Sequence, residues 1–120
     1  MAKRIMLLEN EEEIRAVLTQ HLREAGYTVV CPVDSYVGLE CAEDADFDLI
    51  LLNDQMPIIN GKEFLKALRN RGFEAPVIVF SHASVDRKSL GSESLTPCIL
   101  IQKPFQIDIL LKNIAHLINN

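Results

Sequence analysis

Residues 49–61 read Leu-Ile-Leu-Leu-Asn-Asp-Gln-Met-Pro-Ile-Ile-Asn-Gly, and this stretch decides the fold. The apolar run Leu49–Leu52 predicts a short strand that is buried on both faces, as in a parallel sheet. The Met-Pro loop and Gly61 predict a turn into a helix. In open α/β folds, ligands bind just outside the carboxyl ends of the strands. Asn53, the polar residue at the end of this strand, is therefore the first candidate for a functional site.

Two other apolar runs end in the same way. Ile5–Leu8 leads into Glu9 and Asn10, and Ile99–Gln102 leads into Lys103, Pro104 and Phe105. Because the carboxyl ends of parallel strands meet at one edge of a sheet, we expect these polar residues to gather near Asn53.

A length of 120 residues predicts a single domain over residues 1–120. Strand-like and helical patterns alternate five times along the chain. Five βα units indicate a parallel sheet with right-handed crossovers. The weakest unit is a fourth helix within residues 84–96, where serines and a glycine replace most apolar residues. The predicted strands are residues 5–8, 28–33, 49–52, 77–80 and 98–101. The predicted helices are 14–25 with Val17 on its buried stripe, 35–45 capped by Ser35, one around 64–68 that ends near Gly72, and one from Gln106 onward.

Composition and charge exclude several classes of function. No apolar run approaches the roughly 20 residues that a membrane-spanning helix needs. The net charge is −5 and the basic residues are dispersed, which argues against direct binding of nucleic acid. The three cysteines, Cys31, Cys41 and Cys98, are scattered, as expected for free thiols in a reducing cytoplasm. We therefore expect a cytoplasmic protein that contacts neither a membrane nor nucleic acid directly.

Taken together, these strand ends and their spacing resemble the receiver domain of two-component response regulators, over the whole chain. The resemblance implies a flavodoxin-like, doubly wound (βα)5 fold with a five-stranded parallel sheet in the order 2-1-3-4-5. That family has an acidic pair after the first strand and a phosphoacceptor aspartate after the third. It has a serine or threonine after the fourth strand and a Lys-Pro after the fifth. The matching residues here are Glu9 and Asn10, Asn53, Ser81 and Lys103.

The residues at these positions depart from the family where the chemistry matters. In the family, the acidic pair and the acceptor aspartate hold Mg²⁺; the corresponding ligands here would be Glu9, Asn10 and Asn53. When Lys103 is counted, the formal charge of the site rises from −2 in the family to zero here, because two carboxylates are replaced by amides. Amides attract a hard cation less strongly, so we expect a weak or absent Mg²⁺ site and no other cofactor. An amide also cannot form an acyl phosphate, so we expect no catalytic residue and no enzyme activity.

Four further residues bear on the function. Asp54 could replace the missing nucleophile, but successive strand residues point to opposite faces, so we expect it to be a solvated loop acid. His82 stands where the family has a small residue; it is either a gate over Asn53 or an ordinary histidine at the start of a loop. Leu100 replaces the aromatic residue of the fifth strand that takes part in switching. Ile109 projects from the apolar stripe of the last helix and is a candidate for a partner surface.

Three functions remain open. The first is a phosphorylation-independent receiver, or pseudo-receiver, that binds a protein partner such as a histidine kinase or an output protein. The second is an ordinary phosphoacceptor whose aspartate has been deliberately replaced by Asn53. The third, a flavodoxin-like cofactor binder, is disfavoured because the acids Glu9 and Glu11–Glu13 would repel a phosphate. If the chain forms a homodimer, we expect the last helix and the fifth strand to form the interface.

Overall fold

The computed structural model of the chain describes residues 2–44, 46–53, 61–81, 98–102 and 106–118. Strands and helices follow one another in the order that the sequence predicts. The elements are β1 (Arg4–Leu8), α1 (Glu12–Glu24), β2 (Thr28–Val30), α2 (Ser35–Asp44), β3 (Leu49–Asn53), α3 (Gly61–Asn70), β4 (Val77–Ser81), β5 (Cys98–Gln102) and α4 (Ile107–Ile118). The predicted helix within residues 84–96 lies outside the described residues.

The strands form one parallel sheet in the order β2-β1-β3-β4-β5. This confirms the predicted topology and the flavodoxin-like fold. The central strands are apolar on both faces: all five residues of β3 are buried, including Asn53 at its end. The strand order places the ends of β1 and β3 side by side, and this adjacency positions the candidate site.

Alternating strand residues feed two separate cores, one on each face of the sheet. Even-numbered residues of β1 and β3, such as Met6 and Ile50, pack with the side chains of α2 and α3. Odd-numbered residues, such as Ile5 and Leu49, pack with α1 and α4. A strand repeats every two residues, so a continuous apolar run supplies both cores at once.

Glycines end two of the helices. The N–H of Gly26 donates to the carbonyl oxygen of Arg23 at 3.0 Å, and the N–H of Tyr27 donates to that of Leu22 at 3.1 Å. This pair of bonds is a Schellman motif, and it requires the positive φ of 96° that Gly26 adopts. The glycine therefore turns the chain from α1 directly into β2, as the sequence predicted.

The prediction that Ser35 caps α2 was wrong. The Asp34 carboxylate accepts the N–H of Val37 at 2.9 Å, and the N–H of Gly38 donates to the Asp34 carbonyl at 3.0 Å. Asp34 is thus the capping residue, and Ser35 is the first residue of the helix, where it is fully buried. Both residues can cap a helix, so the sequence alone did not distinguish them.

Two predictions about apolar residues were also wrong. β2 was expected to reach Val33, but it ends at Val30, and Val33 is 84% exposed. Residues 31–33 instead connect the end of β2 to the Asp34 cap of α2. Val17 was placed on the buried stripe of α1, but it is 49% exposed. Leu18 and Leu22 alone are buried there, and Val17 is rotated about 100° from Leu18 around the helix.

No helix among the described residues is long and apolar enough to cross a membrane. Cys31 and Cys41 are both free thiols. They pack against opposite cores of the sheet, and neither lies in a disulfide.

We expect Asp34→Ala to lower the free energy of unfolding by about 1 kcal/mol, because the N–H of Val37 loses its acceptor. Glu40→Ala is the matched control, since Glu40 is an exposed acid on the same helix. Urea denaturation of both variants measures the difference. Equal stability of the two would contradict the assignment of the cap.

Candidate functional site

The register of the sheet brings Glu9 and Asn53 together. Ile5 pairs with Leu49 and Leu7 pairs with Leu51, so the next step of the same register sets Glu9 beside Asn53. Side chains alternate along both strands, and both residues continue the series that faces α1 and α4. Two polar side chains therefore meet on one face, at the carboxyl edge of the sheet.

Both side chains are buried and bonded to each other. Glu9 and Asn53 are each only 2% exposed. The amide nitrogen Nδ2 of Asn53 donates to Oε2 of Glu9 at 2.8 Å and to Oδ1 of Asn10 at 3.1 Å. Asn10 itself is exposed. The three residues that the sequence placed at the metal and acceptor positions thus form one hydrogen-bonded group.

Glu9 also connects this group to the start of α1. Its Oε2 accepts the backbone N–H of Glu11 at 3.2 Å, and its backbone carbonyl accepts Nη1 of Arg15 at 3.1 Å. The sequence analysis did not identify Arg15. Its position, four residues after the N-cap Glu11 and so on the same side of the helix, was the signal that could have found it.

The acidic residues at the start of α1 interact favourably with the helix dipole. α1 begins at Glu12, and Glu12 and Glu13 lie in its first turn with exposed side chains. Negative charge is favourable there because the helix dipole is positive at its N-terminus. The side chain of Glu11 makes no capping hydrogen bond.

The orientation of the Asn53 amide follows from its neighbours. A carboxylate oxygen only accepts hydrogen bonds, so the group that approaches Glu9 at 2.8 Å must be the NH₂ end of the amide. The same nitrogen also satisfies Oδ1 of Asn10. The amide oxygen of Asn53 thus points away from Glu9.

This arrangement does not fit a Mg²⁺ ion. Magnesium binds oxygen ligands, and it is held through carboxylates. Here Glu9 supplies the carboxylate of the group, and its Oε2 is already bonded to an N–H donor. Asn53 directs a nitrogen donor, not an oxygen, toward Glu9 and Asn10. A cation would have to displace both hydrogen bonds and rotate the amide.

The other predicted site residues are placed only in part. Ser81 ends β4 and pairs with Gln102 of β5, so the backbone brings the two strand ends to the same edge as Asn53. Leu100 lies within β5, opposite Val79. Asp54, His82 and Lys103 lie outside the described residues.

Ile109 of α4 is exposed, as the sequence predicted. Ile109 is 48% exposed, whereas Leu110, Ile114 and Ile118 of α4 are buried against the sheet. This confirms that Ile109 projects away from the apolar stripe.

Comparison with known proteins agrees with this fold. Residues 5–115 match the response regulator receiver domain family. The chain is 32% identical over 111 residues to the uncharacterized transcriptional regulatory protein YkoG of Bacillus subtilis, covering 92% of this chain and 48% of YkoG. Its identity to the transcriptional regulatory protein DltR of Streptococcus agalactiae is also 32% over 111 residues, covering 92% of this chain and 50% of DltR. The chain thus spans about half the length of these curated relatives.

Solved structures share the fold over nearly the whole chain. The chemotaxis protein CheY4 of Vibrio cholerae superimposes with a TM-score of 0.87 at 25% identity, covering 98% of this chain and 99% of that chain. The receiver domain of sensor histidine kinase PA1611 from Pseudomonas aeruginosa has a TM-score of 0.86 at 22% identity, covering 100% of both chains. The PA1611 structure has a magnesium ion coordinated in its active site cleft.

We expect millimolar Mg²⁺ to leave the melting temperature of this protein unchanged relative to NaCl of equal ionic strength. A ligand that binds the native state at a hundred times its Kd adds about 2.7 kcal/mol of stability, so a tight site could not escape detection. Differential scanning fluorimetry across a Mg²⁺ series is the measurement. A saturable rise in melting temperature would show that the amide does yield to the cation.

Proposed function

Because this chain belongs to the response regulator receiver domain family, we propose that it is a receiver that works without phosphorylation and acts by binding a partner protein. Receivers of two-component systems are signalling modules and not classical enzymes. The proposal concerns how this member signals.

The observation that carries the proposal is the state of Asn53. An acyl phosphate needs a carboxylate nucleophile, and the residue at that position is an amide. Its nitrogen is engaged with Glu9 and Asn10, at 2.8 and 3.1 Å. The acceptor position therefore lacks the required chemistry, and its side chain is held in a buried network.

The residues Asn10 and Leu100 also support this proposal. Asn10 removes a second carboxylate from the position of the acidic pair, and Leu100 stands where the family uses an aromatic residue in switching. His82 follows the position of the switch hydroxyl in the sequence, where the family has a small residue. Several independent departures are expected if phosphorylation has been abandoned, whereas a deliberate replacement of the acceptor would change Asn53 alone.

The partner that this proposal requires is a protein. The curated relatives are named transcriptional regulatory proteins, and the chain matches about half of their length. We propose that the partner is an output protein or domain, or a histidine kinase, and that nucleic acid is not bound directly. The face of β5 and α4, with Ile109 exposed at 48%, is the surface that we assign to a partner or to a second copy of the chain.

The alternative is an ordinary phosphoacceptor whose aspartate has been replaced by Asn53. Glu9, Ser81 and Lys103 support it, because these residues retain the chemistry of the family. The two readings differ in what must be restored for phosphorylation to occur.

We expect no phosphoryl adduct when the protein is incubated with acetyl phosphate and Mg²⁺, because Asn53 cannot attack phosphorus. Intact-mass spectrometry followed by peptide mapping is the measurement. An adduct at Asp54 would contradict the proposal, since that carboxylate would then be the nucleophile.

Asn53→Asp alone should restore little phosphorylation. The site would still lack the carboxylate at position 10, and His82 would still stand beside the hydroxyl position. Asn10→Asp, Asn53→Asp and His82→Ala together should restore it, because the formal charge of the site then returns to −2. Initial rates with acetyl phosphate compare the two proteins. A single variant as fast as the triple variant would support the replaced-acceptor reading and overturn the proposal.

A further inference from the structure

The Asn53 side chain joins two segments of the chain through one nitrogen atom: the end of β3 and the residues that follow β1. Nδ2 lies 2.8 Å from Oε2 of Glu9 and 3.1 Å from Oδ1 of Asn10, and it projects from the end of β3. Oxygens that converge on one centre are also the pattern by which a cation is held. We infer that the Asn53 amide takes the structural place of a divalent cation and fastens β3 to the start of α1 without metal.

The chemistry of the amide suits this role. The NH₂ group carries two N–H donors, enough for both oxygens, and it brings no formal charge into a buried position. A hydrogen bond to an ionised carboxylate is stronger than one between neutral groups, and burial strengthens it further. Aspartate at this position would instead set a second carboxylate against Glu9, which is unfavourable unless a cation intervenes.

The bridge extends into the first turn of α1. Oε2 of Glu9 accepts both Nδ2 of Asn53 and the backbone N–H of Glu11, so one oxygen holds the strand and the helix together. Glu11 is the N-cap residue, and its carbonyl accepts the N–H of Arg15 at 2.9 Å, the first backbone bond of the helix. The side chain of Arg15 in turn donates a hydrogen bond to the backbone carbonyl of Glu9. Loss of the Asn53 donor should therefore weaken the protection of the Arg15 backbone amide against hydrogen exchange.

Asn53 is, in this view, a positioning residue. The inference deepens the proposed function and rests on it, because a receiver without phosphorylation needs no cation for chemistry but still needs its loops held. Its test uses stability and local opening, which are independent of phosphoryl transfer.

The experiment measures amide hydrogen exchange by NMR in the wild type, in Asn53→Ala and in the double variant Asn10→Asp, Asn53→Asp, each with and without millimolar Mg²⁺. In Asn53→Ala, the Arg15 amide should exchange roughly tenfold faster, with or without Mg²⁺, because alanine replaces neither donor. In the double variant, the Arg15 amide should also exchange fast without Mg²⁺, because the new carboxylates at positions 10 and 53 repel each other and Glu9. Addition of Mg²⁺ should return the exchange of this amide to the wild-type rate.

Asn70→Asp is the matched control, because it introduces a carboxylate at an exposed position at the end of α3. It should leave the Arg15 amide unchanged in both conditions. The exchange of Leu51, deep in β3, should stay the same in every variant, which separates local loosening from global destabilisation.

Unchanged Arg15 exchange in Asn53→Ala would overturn the inference. If that variant does not fold, the double variant decides: exchange that Mg²⁺ does not slow would overturn it, and exchange that returns to the wild-type rate would support it. Phosphorylation of the wild type would overturn the proposed function while leaving these exchange results in place. The two failures are therefore distinguishable.

Discussion

A buried carboxylate and a buried amide share one hydrogen bond at the edge of this sheet, and the arrangement of the site depends on it. Glu9 and Asn53 each expose only 2% of their surface, so neither can rely on water. A buried charge without partners is costly, and a buried amide without partners is costly too. The parallel register between β1 and β3 sets the two residues side by side and so lets each offset the cost of the other.

The bond is local, but the elements that it ties together belong to different parts of the sequence. Asn53 and Glu9 are 44 residues apart, and Glu9 in turn contacts Glu11 and Arg15 through its carboxylate and its carbonyl. A strand in the middle of the sheet is thereby connected to the helix that covers one of its faces. This connection gives the edge of the sheet a polar centre that is made from the protein's own side chains.

The sequence predicted the parts of this structure that depend on pattern. Continuous apolar runs identified the strands, and the rule that the carboxyl ends of parallel strands meet at one edge was enough to place Glu9 near Asn53. The sequence was a poorer guide where two neighbouring residues of similar chemistry could fill the same structural role. Asp34 and Ser35 are both capable caps, and only the geometry of the α2 N-terminus selects Asp34. Val17 is apolar and adjacent to a buried leucine. Consecutive residues of a helix face different directions, however, so the burial of the leucine does not extend to Val17. Arg15 was missed because its partner is a backbone carbonyl, and its spacing of four residues from Glu11 was the signal that the sequence offered.

The internal bridge also bears on how such a receiver could change state. A ligand shifts a conformational equilibrium only by its difference in affinity for the two states. A phosphoryl group and its cation supply that difference in a phosphorylated receiver. In this chain, Asn53 is already bonded to Glu9 and Asn10 within the protein. Under the proposed function, the balance between states is set by the sequence and by whatever binds elsewhere. Protein contacts on the exposed face of α4 can supply such a difference without any chemistry at Asn53, since a partner that buries Ile109 in only one arrangement would favour that arrangement. The proposed function thus requires that the energy of switching come from an interface.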